Sequence, residues 1–176
     1  MQMEFSRVAR CTDMGTGTRV EIDLVDSLNA DEGILVGDKA RGFVCVLAEN
    51  RQTSTYPPRP FRVNAGAIHQ YVYVGDNETR YLSELRSRDS VVVTNGINER
   101  MVKIGRVKIE RREFVCIELE NGITATLQNA DSIFISGDKT AIHLCDISEK
   151  DIVGSVIMQN QARHIGKAIE EEIIEK

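Results

Sequence analysis

The sequence predicts an all-β protein built from tandem repeated small β-barrel-like modules, and three observations predict it. Short runs rich in β-branched residues recur along all 176 residues. Turn-forming pairs separate them, at Gly75-Asp76, Asn95-Gly96, Asn121-Gly122 and Gly137-Asp138. The chain also resembles itself. An offset of 62 lays residues 71–76 over 133–138, Leu82 over Leu144, Leu85 over Ile147, Asp89 over Asp151 and Val91 over Val153. With one residue of slip, Gly105 meets Gly166. A weaker third copy at an offset of 57 sets Leu28 under Leu85, Glu32 under Asp89, and Ile34 and Val36 under Val91 and Val93. Each copy reads as strand, Gly-Asp turn, strand, a Leu-x-x-Leu/Ile corner, an acidic turn and another strand. The implied units are an N-terminal module over 1–62 with a Pro-rich loop, a first repeat over 63–124 and a second over 125–176.

Taken in order, strands are expected at 20–25, 34–36 and 42–47, all dominated by Val, Ile, Leu and Phe. Pro57, Pro58 and Pro60 mark a loop over 50–60. Strands follow at 71–74, 90–94 and 102–110. In the last, Val107 and Ile109 point one way and Arg106, Lys108 and Glu110 the other. Arg111-Arg112-Glu113 reads as the neighbourhood of a hairpin turn before a strand at 114–118. Further strands are expected at 124–128, 133–135 and 152–158. Residues 165–174 have some helical spacing, but the repeat places a strand there. No long amphipathic helix is present.

Composition narrows the function. A hydrophobic content of 41% supports a core, while 5% aromatics and no Trp disfavour a base-stacking surface. A formal charge of −5 disfavours nucleic acid and membrane surfaces as partners. No apolar run reaches membrane-spanning length, and the first residues lack the marks of a signal peptide. Cys11, Cys45, Cys116 and Cys145 are widely spaced, which reads as reduced, buried thiols in a cytoplasmic protein. No glycine-rich phosphate loop is present.

The densest chemistry lies between Arg59 and Tyr71, where Arg59, Arg62, Asn64, Gly66 and His69 are packed into eleven residues. Guanidinium forks match carboxylates and phosphates, and His69 titrates near neutrality or ligates metal. Pro60 holds Arg59 extended, so Arg59 and Arg62 take opposite faces unless the backbone turns. Arg62 is the favoured anion clamp. Arg59 is either a second clamp or a structural ion pair. Arg106, Lys108 and Glu110 line either a solvated face or an anion-binding cleft. His69, His164 and Glu49 form either an acid/base set or the ligands of a divalent metal.

The run Arg-Pro-Phe-Arg-Val-Asn-Ala-Gly-Ala-x-His-x-Tyr over 59–71 resembles the signature of the archaeal-type (type II) 3-dehydroquinate synthases. Similar blocks follow in order: Tyr81-Leu82-Ser83-Glu84-Leu85, then residues 105–112, then Leu127-Gln128-Asn129-Ala130, then Arg163-His164-Ile165-Gly166 and the tail at 172–176. Upstream, residues 32–37 and Ala40-Arg41-Gly42 also fit. The resemblance spans nearly the whole chain but only the C-terminal half of such enzymes. It departs at Leu47-Ala48-Glu49, where a His-Ser-Glu triplet is expected.

The resemblance implies NAD-dependent oxidative deamination and cyclisation of a seven-carbon amino-keto acid in aromatic amino acid biosynthesis. Arg59, Arg62, Asn64, Arg106, Lys108 and Glu110 would bind this small carboxylate substrate, and His69, Glu49 and His164 would move protons. It further implies a separate subunit for the N-terminal half, or a homo-oligomer. The alternatives are a metal-dependent enzyme making 3-amino-4-hydroxybenzoate and a non-catalytic binding module. Arg62, Asn64 and His69 are expected to converge near Glu49 or the 106–110 strand.

Overall fold

A computed structural model of the chain describes residues 1–158, 163–164 and 174–176. The described fold is all-β, with strands β1 (Glu4–Leu24), β2 (Gly33–Lys39), β3 (Gly42–Leu47), β4 (Arg62–Ala67), β5 (Tyr71–Gly75), β6 (Glu78–Tyr81) and β7 (Ser90–Thr94). These are followed by β8 (Glu99–Leu119), β9 (Thr124–Gln128), β10 (Phe134–Ile135), β11 (Ile142–His143), β12 (Ile152–Ile157) and β13 (Arg163–His164). The helical turns among the described residues are two three-residue 3-10 turns, Leu82–Glu84 and Leu144–Asp146. No described helix is long and apolar enough to cross a membrane.

The pairings form a closed circuit: β2 pairs with β3, β3 with β12, β12 with β1, β1 with β8, β8 with β7 and β7 with β2, all antiparallel. β4 adds to β1 and β9 to β8. β2 and β3 explain why their sequences are nearly unbroken apolar runs. Ile34, Val36, Val44 and Val46 enter one core cluster, and the alternate residues Leu35, Phe43, Cys45 and Leu47 enter a second. A strand covered on both faces has no polar side to show.

The internal repetition is visible in three turns. The backbone N–H of Arg86 donates to the Asp89 carboxylate at 2.8 Å, that of Ser148 to Asp151 at 2.8 Å, and that of Asn29 to Glu32 at 2.8 Å. In each case the acid's own N–H returns to the first residue's carbonyl, at 3.1, 3.0 and 3.1 Å. Strands β7, β12 and β2 then begin at the next residue. Leu82 and Leu144 are both buried and open matching 3-10 turns, whose C-terminal residues Leu85 and Ile147 have ψ of 138° in both. The repetition is carried by these turns and the strands they launch; β2–β3, β5–β6, β7–β8 and β10–β11 pair within a copy, while β1–β8, β1–β12, β3–β12 and β2–β7 pair across copies.

Several expected boundaries are corrected. β8 runs unbroken through Arg111-Arg112-Glu113, which pair with Thr18, Gly17 and Thr16, so no hairpin turn lies there. A side chain at Gly17 would press the Phe114 ring, its Cβ 3.1 Å from Cε2. β1 begins sixteen residues before the expected strand and β4 was not expected, whereas β6 and β11 are the strands that the repeat sets between each Gly-Asp turn and its Leu corner. Ile109 is 52% exposed and does not join Val107 against the core. Cys45 is buried, whereas Cys11 and Cys145 are exposed. The strand expected over 165–174 lies almost wholly outside the described residues. Replacing Asp151 by Ala removes a turn acceptor that has no ion-pair partner among the described residues and is expected to lower stability by about 1 kcal/mol, measured as a shifted urea midpoint with an unchanged slope.

Candidate functional site

Alternation in β1 builds the site. Along Arg19-Val20-Glu21-Ile22-Asp23-Leu24, the apolar residues enter the core and the charged ones turn to the opposite face. All three charged residues are nonetheless buried, at 5%, 4% and 4% exposure. β8 lies alongside with the complementary sign at every position: Arg19 opposite Glu110, Glu21 opposite Lys108, Asp23 opposite Arg106. β4 flanks the other side, with Asn64 opposite Glu21 and Arg62 opposite Asp23. Three strands therefore present one charged floor.

The ion pairs knit it together. Asp23 takes Arg62 through Nε and Nη2, at 2.8 and 3.1 Å, and Arg106 Nε at 2.7 Å. Glu21 lies 3.2 Å from Arg19, 3.3 Å from Arg62 and 3.4 Å from Lys108. Glu110 meets Arg19, Lys108 and Arg112. Burial alone would raise the Asp23 pKa, but the hydrogen bonds and charges of Arg62 and Arg106 outweigh it and hold the group below the usual carboxylate range.

The walls come from the Pro-rich loop. Residues Arg59–Arg62 form a turn, closed by the Arg62 N–H to the Arg59 carbonyl at 3.0 Å. Pro60 occupies its second position, where a fixed φ is favoured. The turn brings Arg59 and Arg62 into the same cleft. Glu49 bridges to Arg59 in the backbone and pairs with its guanidinium at 2.5 Å. Burial pushes the Glu49 carboxyl above its ordinary value, with Glu21 adding to the rise and Arg59 opposing it. Tyr56 stacks on Arg59, its centroid 4.4 Å from Cζ, and Ser54 and Thr55 donate to Asp131 at 3.3 and 2.7 Å.

Gly66 sets the position of the far wall. Its φ is +100°, and a Cβ would lie 2.5 Å from the Thr126 carbonyl oxygen and from Gln70 Nε2. Only glycine lets β4 approach β9 this closely. Gln70, fully buried, donates to the Ala65 carbonyl and accepts from the Thr126 N–H. Two residues further along each strand, Asn64 meets Gln128 at 2.7 Å.

The result is a cleft of about 340 Å³, lined by five cations (Arg19, Arg59, Arg62, Lys108, Arg112) and four acids (Glu21, Glu49, Glu110, Asp131). Eight buried side-chain polar atoms among the described residues make no hydrogen bond, and five of them belong to this cleft: Arg19 Nε, Glu21 Oε1, Glu49 Oε2, Arg59 Nε and Asn64 Oδ1. Glu21 Oε1 and Glu49 Oε2 still have a cation within ion-pair distance. Such groups are costly to bury unless something answers them.

Of the residues singled out from sequence, Glu49, Arg59, Arg62, Asn64, Lys108 and Glu110 line this cleft. Arg106 reaches Asp23 from outside and faces a more open depression of about 630 Å³ beside Leu24, Val25, Phe61 and Val107. His69 does not join them. It is exposed at the turn after β4, and its Nε2 lies 2.8 Å from Asp38, which also accepts from Thr126. The His164 side chain lies outside the described residues. Among those described, no group of three or more His, Cys, Asp or Glu side chains is placed to hold a metal. The cleft's Glu21, Glu49 and Glu110 are all committed to guanidinium or ammonium groups, so they do not fit a cation. Arg19, Glu21, Asp23 and Gln128 were missed, although the opposed signs on β1 and β8 carry the signal.

An all-β domain with one charged cleft of small-molecule size is thus defined. Residues 5–176 match the model of the 3-dehydroquinate synthase II C-terminal domain, and the chain belongs to that family. The 3-dehydroquinate synthase of Methanocella arvoryzae is 43% identical over 169 residues, taking in 93% of this chain and 45% of its own length. Those of Methanosarcina mazei and Methanothrix thermoacetophila are 41% and 40% identical, over 99% and 100% of this chain and 47% and 49% of theirs. The chain spans about half the length of the curated relatives it matches. No solved structure matches it.

Because the folded Asp23 pKa is depressed, its contribution is complete above the ordinary carboxylate value and is lost as pH falls through the folded value. Asp23→Asn should therefore destabilise the chain at neutral pH by about 3 kcal/mol. The deficit should shrink as the pH is lowered, read from denaturation midpoints between pH 7 and pH 3.

Proposed function

We propose that this chain supplies the substrate-anion half of a 3-dehydroquinate synthase II active site. The observation that supports it most is the convergence of three buried polar atoms without a hydrogen bond or ion-pair contact of their own, Arg19 Nε, Arg59 Nε and Asn64 Oδ1, on a cleft where cations outnumber acids. In this reading the carboxylate of the seven-carbon amino-keto acid lies against Lys108, Arg62 and Arg59. Charge-assisted bonds from a fixed guanidinium and a mobile ammonium suit a carboxylate. Glu49, whose carboxyl burial pushes above its ordinary value, is the cleft's candidate for moving a proton at an amine or carbonyl oxygen.

The family's activity implies oxidative deamination with NAD, release of ammonia and ring closure. The described residues of the cleft include no glycine-rich phosphate turn and no apolar slot, so they do not fit a dinucleotide. We assign that role to the other half of a full-length enzyme, and no step is drawn through NAD here. His69 with Asp38 stands apart from the cleft and has no part in this assignment.

The test is to incubate the purified chain with the seven-carbon amino-keto acid and NAD, with and without an N-terminal half supplied separately. Formation of 3-dehydroquinate and NADH is followed. Turnover is expected only with the added half, falling at least a hundredfold in Glu49→Gln. Robust turnover by the chain alone would overturn the division of labour. Absence of turnover in both arms, with anion binding retained, would reassign the chain as a binding module.

A further inference from the structure

Three of the cleft's polar side chains form a line whose hydrogen-bond directions follow from one end. Arg19 is a donor only, since a guanidinium has no acceptor. It is almost wholly buried and fixed by Glu21 at 3.2 Å and Glu110 at 3.3 Å. Its Nη1 lies 3.0 Å from the Gln128 amide, so the Gln128 atom facing it is the oxygen, Oε1. Reversing that amide would set two donors against each other. The same oxygen lies 2.7 Å from the Asn64 amide, so the Asn64 atom facing it is the donor, Nδ2. Asn64 Oδ1 is therefore turned to the other side. Asn64 is 2% exposed, and Oδ1 has no hydrogen-bond partner among the described residues.

The cleft consequently offers more than positive charge. Its cations attract any small anion, whereas a buried acceptor of fixed direction is satisfied only by a donor. We propose that the cleft selects anions that carry a hydroxyl or ammonium donor beside the anionic group. Asn64 Oδ1 is the atom that reads that donor, and Arg19 and Gln128 are positioning residues that fix its direction. The inference rests on the anion-site reading above and adds the second group the ligand must carry. An anion without a donor still meets Lys108 and Arg62 but leaves Oδ1 dehydrated and unpaired, so it is penalised rather than merely unrewarded.

Malate and succinate differ by one hydroxyl and serve as probes, with aspartate as the ammonium form. Binding to the full chain is measured by isothermal titration at low ionic strength, where exposed charges are least screened. Malate and aspartate are expected to bind roughly tenfold more tightly than succinate, one hydrogen bond's difference. Lys108→Met should weaken all three alike. Asn64→Ala should bring the ratio close to one. Gln128→Met frees the Asn64 amide to turn and should also shrink the ratio. Gln128→Glu keeps an acceptor toward both neighbours and should preserve it, so the Gln128 pair decides the matter even if Asn64→Ala does not fold. Equal binding of malate and succinate, still weakened by Lys108→Met, would overturn the inference and leave the anion cleft standing. A ratio that persists in both Asn64→Ala and Gln128→Met would remove Asn64 as the reading atom. Failure of all three probes to bind the unsubstituted chain would overturn the anion cleft and this inference with it.

Discussion

The structure depends on keeping the charged face of β1 buried and fully paired. Moving an ion from water to a protein interior costs several kcal/mol even after relaxation. Glu21 and Asp23 are only a few per cent exposed, and both are surrounded by cations drawn from the strands on either side. Arg62 from β4 and Arg106 from β8 share Asp23 across β1. A slip of one residue in either pairing would place Val20 and Ile22 in the cleft and drive the charges into the core. The charged floor and the apolar core behind it therefore specify the same register from opposite faces. The cleft is a consequence of that register and not an addition to a finished sheet.

This constraint also decides which groups remain for a ligand. Asp23, Glu110 and most of the Arg62 and Arg19 nitrogens are consumed in mutual pairing and act as scaffold. What is left over is small and directional: Asn64 Oδ1, the Arg19 and Arg59 Nε atoms, and the ammonium of Lys108, which is 37% exposed at the rim. A site whose charges are already positioned loses little entropy when an anion arrives. The loop above it is held by modest contacts, two hydroxyls on Asp131 and an aromatic ring on Arg59.

Much of the architecture could be read from residues alone, because β2, β3, β7 and β9 are short runs of Val, Ile, Leu, Phe and Thr with clear ends. The acidic turns were legible too, since Glu32, Asp89 and Asp151 recur in register. β4 was not legible as a strand. Asn64-Ala65-Gly66-Ala67 has none of the β-branched residues that mark one, and its small side chains answer to the close approach of β9 at Thr126. Arg111-Arg112-Glu113 looked like a turn because three charges in sequence usually face water, yet they lie in the middle of the β1–β8 ladder. Arg59, Arg62 and Asn64, singled out by the signature's residue types, do come together in one cleft. His69 stands apart from them because a turn follows Ala67, after which the chain no longer keeps the face of β4. Alternating charges in β1 suggest a solvated face. Only the opposed signs on β8 indicate that this face pairs with another strand and not with water.

Glu49 shows where stability and chemistry diverge. Its carboxyl is buried enough that the ionised form is disfavoured, and Arg59 at 2.5 Å offsets only part of that. A group with a raised folded pKa contributes stability that is complete at low pH and lost as pH rises through that value. The Glu49 contribution therefore falls as pH rises, unlike that of Asp23, whose depressed value works the other way. The cation that restrains the Glu49 rise, Arg59, also lines the cleft and is one of the groups proposed to meet the anion. An anion that takes a share of Arg59 also reduces Arg59's hold on Glu49, and a second negative charge nearby raises the Glu49 pKa further. In the proposed anion site, anion binding and the Glu49 pKa would in this way be linked through a single guanidinium.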